Sequence, residues 1–198
     1  MSQHSLKVSI KGHVLIKDSD GKVILDKKNA IHNKNMAIVI ARGLANEPPS
    51  TPSAPGISQI YQLKLGNGGS TIDSLNQITY QAPNILGSTA DLYNTTYAEV
   101  VDEQQTGTPV QNSVTYQEAP APDETAIVIV SATISAGEPA GQPLSNAAAT
   151  SLDGDFVFDE LGLFTSDGKM ISHLIFSPII KTAEKELIIT YTLTIEVS

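Results

Sequence analysis

The feature that most constrains the fold is a strict alternation over residues 187–197. Leu187, Ile189, Tyr191, Leu193, Ile195 and Val197 are apolar, and Ile188, Thr190, Thr192, Thr194 and Glu196 stand between them. Successive side chains of a strand point to opposite sides, so this period of two places six apolar groups on one face. Burying them contributes on the order of 10 kcal/mol before chain entropy is subtracted.

The same period recurs near the start. Leu6, Val8, Ile10, Val14 and Ile16 alternate with Lys7, Ser9, Lys11 and Lys17. The turn Asp18 to Gly21 follows, then the apolar run Val23 to Leu25. Asp-Gly between apolar runs predicts a hairpin, because glycine accepts positive φ without steric cost. One helix is expected, over about residues 33–46. Asn33 can cap it, Met36, Ile40 and Leu44 form its apolar side, Ala37 and Ala41 allow close approach to a sheet, and Asn35 and Arg42 mark the wetter side. Further strands are expected at Ile60 to Leu65, at Tyr97 to Asp102, and at Ala126 to Ile134. The last is a β-branched run of the kind covered on both faces. The run Phe156 to Phe164 turns at Asp167-Gly168 and returns with Met170, Leu174 and Phe176 on one side.

Three stretches, about residues 47–58, 104–124 and 135–155, hold nine of the eleven prolines. Proline has no amide to give a sheet ladder, so these read as loops. Their length exceeds that of ordinary connections and favours a role in contacts made on assembly. The expected architecture is therefore mainly β: an antiparallel β-sandwich with one short helix and long Pro/Gly-rich loops, in a single domain of 198 residues whose N-terminal hairpin and helix span 1–46.

Composition removes several functions. With no Cys there is no disulfide scaffold, thiolate zinc site or cysteine nucleophile. No apolar run approaches the roughly 18 residues of a membrane helix, and Met1 to Lys7 lack a signal peptide's apolar stretch. The net charge of -9 is divided unevenly. Residues 1–42 hold eight basic and three acidic residues, or +5, and the remainder holds 4 basic and 18 acidic, or -14. A basic segment can be a nucleic-acid arm, but this one has no stacking aromatic, so nucleic acid is not an expected partner. Two readings remain open: a basic edge that docks on a neighbour's acidic face, and a solvated Lys-rich strand that protects a sheet edge.

Candidate chemistry is sparse. Asp18-Ser19-Asp20-Gly21 resembles the start of a calcium loop but lacks a third ligand before the glycine and the closing Glu. Asp153, Asp155, Asp159 and Glu160 could supply the paired carboxylates of a glycosidase, but a solvated strand entrance is the commoner cause of such a cluster and is the reading preferred. Gly66-Asn67-Gly68-Gly69-Ser70 lacks the Gly-Lys-Ser/Thr ending of a phosphate loop and reads as a turn. His4, His13, His32 and His173 show no metal-ligand spacing. No Gly-x-Ser-x-Gly elbow is present. No catalytic, metal or cofactor-binding residue is assigned.

Three pieces occur in order: Leu65 to Ser70, Tyr93 to Glu99, and Phe156 to Lys169 with its Glu160-Leu161-Gly162-Leu163-Phe164 core. Together they resemble the N-terminal attachment domain of tail-collar fibre proteins of tailed bacteriophages. There a Gly-rich turn, a Tyr/Glu segment and a Glu-(Leu/Ile)-Gly-Leu-Phe-x-x-Asp-Gly hairpin recur. The match covers roughly residues 60–198, and residues 158–169 are its most specific part. The resemblance implies a non-enzymatic virion protein, assembled in the host cytoplasm as a homo-oligomer such as a trimer or hexamer, in contact with other virion proteins. It carries over no catalytic residue. A fibre would continue into a repetitive shaft, so a collar, neck, baseplate or fibre-attachment subunit is expected. The alternatives are a capsid decoration protein, or a carbohydrate-binding β-sandwich using a surface row of Tyr61, Tyr80 and Tyr93.

Overall fold

The computed structural model describes residues 7–44, 60–75, 77–87, 89–101, 112–118, 125–140 and 157–197. Strands dominate them. β1 (Val8–Asp18) and β2 (Val23–Ile31) form the N-terminal hairpin, reversed at Gly21 with φ 78°. Asp18 closes that turn, its Oδ1 accepting the amides of Asp20 and Lys22 at 3.1 and 2.9 Å. The helix α1 (Asn33–Leu44) follows. Then come β3 (Ile60–Gly66), β4 (Ser70–Ile72), β5 (Ile78–Tyr80), β6 (Thr95–Val100), β7 (Ser113–Glu118), β8 (Thr125–Ile134), β9 (Val157–Thr165), β10 (Met170–Ile180) and β11 (Leu187–Val197).

Nine strands form one sheet in the order β6-β3-β9-β10-β2-β1-β11-β8-β7, and β4 and β5 form a separate ribbon. Every pairing is antiparallel. The alternating C-terminal strand pairs with β1 along its whole length, from Val8 opposite Val197 to Asp18 opposite Leu187. β2 is the fold line. Its middle pairs with β1, while Ala30 and Ile31 pair with His173 and Ser172 of β10. The two halves enclose one core. Val14, Ile16, Val130 and Tyr191 come from the half that curls into a half-barrel, and Leu63, Leu65, Phe158 and Leu161 from the other. Asn112 draws the outer strands together. Its Nδ2 donates to the Val100 carbonyl at 3.0 Å and to Glu99 at 2.7 Å, and its Oδ1 accepts the Thr133 amide of β8 at 2.8 Å.

Several expectations need correction. The supposed loop 104–124 contains β7, because Val114 packs on the core while Thr115 and Gln117 face out. β8 is second from the sheet edge and well covered on one face only: Val130, Ala132 and Ile134 are buried, Ile127 and Ile129 half-buried. The strand covered on both faces is β9. The strand expected from Tyr97 starts two residues earlier. Met170 faces away from Leu174 and Phe176, because a register shift between Met170 and Ser172 flips the alternation of β10. The basic hairpin lies in the middle of the sheet, so it protects no edge and is no edge.

In α1, Asn35 is buried and donates to the Met170 carbonyl at 2.7 Å, whereas Ala37 is exposed. The cap is His32 rather than Asn33: its carbonyl accepts the Met36 amide and its Nδ1 accepts the Asn35 amide. The loop expected over 47–58, most of 104–124 and 141–155, together with Phe156, lies outside the described residues.

Gly162 sits in unbroken register between Lys64 and His173, so it marks no bend. A Cβ there would stand 2.9 Å from the Phe164 ring, 3.1 Å from Leu92 Cδ2 and 3.1 Å from the Ser172 carbonyl. Gly162→Val is therefore expected to cost about 2–3 kcal/mol by overpacking. Urea denaturation measures it, and an unchanged midpoint would refute the close-packing role.

Candidate functional site

The doubly covered strand β9 carries two carboxylates in its interior. Asp159 is 2% exposed and Glu160 is 0% exposed. The two are adjacent on the strand, and both bond the turn that follows β3.

Glu160 accepts four hydrogen bonds. Its Oε1 takes the amides of Gly68 at 3.1 Å and Asn94 at 2.8 Å. Its Oε2 takes the Tyr93 amide at 2.9 Å and His173 Nε2 at 3.0 Å. The His173 ring is itself oriented. Its Nδ1 accepts the Asn84 amide at 2.8 Å, which leaves the proton on Nε2 to be donated to Glu160. Tyr93 packs beside that ring at 5.7 Å between centroids.

Asp159 accepts the Gly69 amide on Oδ1 at 2.8 Å. Its Oδ2 accepts the Ser70 amide at 2.7 Å and the Ser70 hydroxyl at 2.6 Å. Two adjacent residues of β9 thereby hold the whole turn from Gly68 to Ser70 and the start of the Tyr93-Asn94 segment.

The turn is glycine-rich because backbone passes against backbone. A Cβ on Gly66 would lie 2.3 Å from the Asn94 carbonyl oxygen, and one on Gly69 would lie 2.8 Å from the Asp159 carbonyl oxygen. Residues 81–87 and 89–94 lie against the outer side of β9 as a strap. Its ties are Gln81 amide to Gly69 carbonyl, Tyr93 hydroxyl to Ala82 carbonyl, and His32 Nε2 to Gly87 carbonyl. Ala90 and Leu92 of the strap form a small second core with Phe164 and Met170.

The electrostatics of the two acids differ. Burial pushes the Glu160 carboxyl up, but His173 and the amides of Asn94, Tyr93 and Gly68 more than offset this and hold it below the ordinary value. For Asp159 burial wins over the Ser70 and Gly69 donors, and the nearby Glu160 charge adds to it, so its carboxyl stands above the ordinary value.

Chemically the pair is a clamp. The acceptor positions of both carboxylates are occupied by the chain's own donors, and neither has an open face toward solvent. A glycosidase pair would need both acids turned into one cleft. The strand entrance expected at Asp159 and Glu160 is likewise not solvated. Asp153 and Asp155 lie outside the described residues. His13 is a partly exposed strand residue, 2.6 Å from Asp26, and His4 lies outside the described residues. Among the described residues no group of three His, Asp or Glu side chains gathers as for a metal ion. Of the proposed tyrosine row, Tyr80 and Tyr93 are exposed to 49% and 46%, and Tyr61 is half-buried. Lys181 is a buried group no motif indicates. Its Nζ donates to the carbonyls of Ser135 and Thr182, both at 3.0 Å, and burial pushes its pKa down against the opposing charges of Glu138 and Glu186.

The chain matches no protein-family profile, no curated protein and no solved structure.

Glu160→Gln would turn an amide NH₂ toward N–H donors and is expected to cost about 3 kcal/mol, the scale for breaking a buried charged network. The pH dependence follows from the sign of the shift. The folded Glu160 pKa lies below its ordinary value of 4.5, so its stabilisation is complete above that value and fades as the pH falls through the folded one. Denaturant titrations at neutral pH and well below pH 4.5 should therefore show the gap between wild type and Glu160→Gln narrowing with acid. A gap independent of pH would exclude an ionised clamp.

Proposed function

We propose that this chain is a non-enzymatic structural subunit of a tailed-phage virion, working in the particle as a collar, neck, baseplate or fibre-attachment component. One observation carries the reading. The three sequence pieces behind the resemblance are far apart in the chain, yet they meet at one place: the Gly66–Ser70 turn, the Tyr93-Asn94 segment and the Glu160-Leu161-Gly162 strand are joined through the carboxylates of Asp159 and Glu160. On this reading the recurrent motif is a structural lock and not a reaction centre, as suits a rigid building block. Assembly into a homo-oligomer belongs to the same reading, with the outer strands β6 and β7 as one available surface. Contacts with other virion proteins complete the role.

The exposed Tyr80 and Tyr93 favour a second reading, a carbohydrate-binding β-sandwich, in which the two rings would present apolar faces to a sugar. Tyr80→Ala would then abolish binding on a saccharide array that the wild type recognises.

Immunogold labelling of purified tailed particles, with antibody raised against the recombinant chain, tests the first reading. Label at one discrete ring or plate of the particle is expected. Label confined to the soluble fraction of infected cells, with bare particles, would contradict it.

A further inference from the structure

Two apolar features lack a partner among the described residues. The first is a knob. The β4–β5 ribbon is paired separately from the nine-stranded sheet and tied to it at Ser70, and Leu75 at its far tip is 75% exposed. Ile78 on the same ribbon is 37% exposed. The tip is not a loose loop. Asp73 Oδ1 accepts the amides of Leu75 and Gln77, both at 2.8 Å, and the Asp73 amide donates to the Gln77 carbonyl at 3.0 Å. A leucine held on a fixed turn loses little entropy on docking, which is the condition for a useful anchor.

The second is a groove. A cavity of about 290 Å³ opens between β1 and α1, lined by Val8, Ile10, Ile31, Met36, Ala37 and Ile40, with Asn33 its one polar wall. Val8 is 49% exposed there and Ala37 is exposed. A volume of that order accommodates a leucine side chain with room for a flanking residue.

The charges of the two features are opposite. The groove is built wholly from the segment of residues 1–42, which is +5, and exposed Lys7 and Lys34 adjoin its lining residues in sequence. On the knob, exposed Asp73 stands two residues from Leu75, and the ribbon, residues 70–80, carries no Lys or Arg. Complementary potential of this kind steers docking and fixes its register.

We infer that copies of this chain join head to tail, the Leu75 tip of one seating in the β1–α1 groove of the next. The inference rests on the assembly reading above and names the contact and the partner, a second copy. Knob and groove are different surfaces, so the contact is heterologous and builds a ring if the rotation closes and a filament if it does not.

Sedimentation velocity on four samples tests it: wild type, Leu75→Asp, Ala37→Glu, and an equimolar mixture of the two variants. Both substitutions are at exposed positions, and circular dichroism checks that each variant folds. Wild type is expected to assemble and each variant to run as a monomer. The mixture is expected to form two-chain species, since the intact groove of Leu75→Asp accepts the intact knob of Ala37→Glu and the chain of contacts then stops. If wild type assembles and folded variants assemble as well, the knob and groove are wrong and the assembly reading stands. If the variants are monomeric and their mixture is too, the head-to-tail pairing is overturned. If wild type is monomeric, both the inference and homo-oligomeric assembly fall.

Discussion

An ionised carboxylate inside a protein is tolerated only when its lone pairs are answered. Glu160 is fully buried, and its four acceptor positions are met by Gly68, Asn94, Tyr93 and His173. Everything on the outer side of β9 depends on this arrangement. The donors come from two loops and one strand, so satisfying the charge requires all three to be in place together. Each donor is also oriented by something else. His173 presents Nε2–H because the Asn84 amide occupies its Nδ1. Asn84 belongs to the strap, and its own side chain donates to the Asp91 carbonyl at 3.0 Å. The network thus makes a long irregular segment as definite as a strand.

Around this lock the sheet supplies rigidity. The nine-stranded sheet folds over at β2, and a single core serves both halves. Asn112 bridges the end of β6 to β8. Among the outward-facing side chains of β1 and β11, Lys11 pairs with Glu196 at 2.7 Å. An exposed pair of this sort adds little stability.

The regular half of the fold was legible in the sequence because periodicity reports burial directly. The alternation of 187–197, the Asp-Gly hairpins at Gly21 and Gly168 and the helix at 33–44 all follow from local rules. Three kinds of error had physical causes. A register shift in β10 moved Met170 to the other face, and a shift of one position is invisible in composition. β7 is short and polar, and its pairing with β8 comes from tertiary contact. Asp159 and Glu160 look like solvated residues at a strand entrance, since carboxylates are seldom buried. Besides the His173 ring and the Ser70 hydroxyl, their donors are backbone amides of Gly68, Gly69, Ser70, Tyr93 and Asn94, and an amide has no letter of its own in a sequence. The only available signal was that glycines and an Asn fall together in two loops. His32 as a helix cap and Asn35 as a buried anchor were hidden for a similar reason, because their partners are the carbonyls of Gly87 and Met170.

The central claim, that one buried charge holds two loops as a unit, is tested most directly by residue-resolved amide hydrogen exchange. The amides of Gly68, Tyr93 and Asn94 are expected to exchange slowly and with one common opening free energy, matching that of the β9 amides. Fast exchange at these three positions, or three unrelated rates while β9 stays protected, would contradict it.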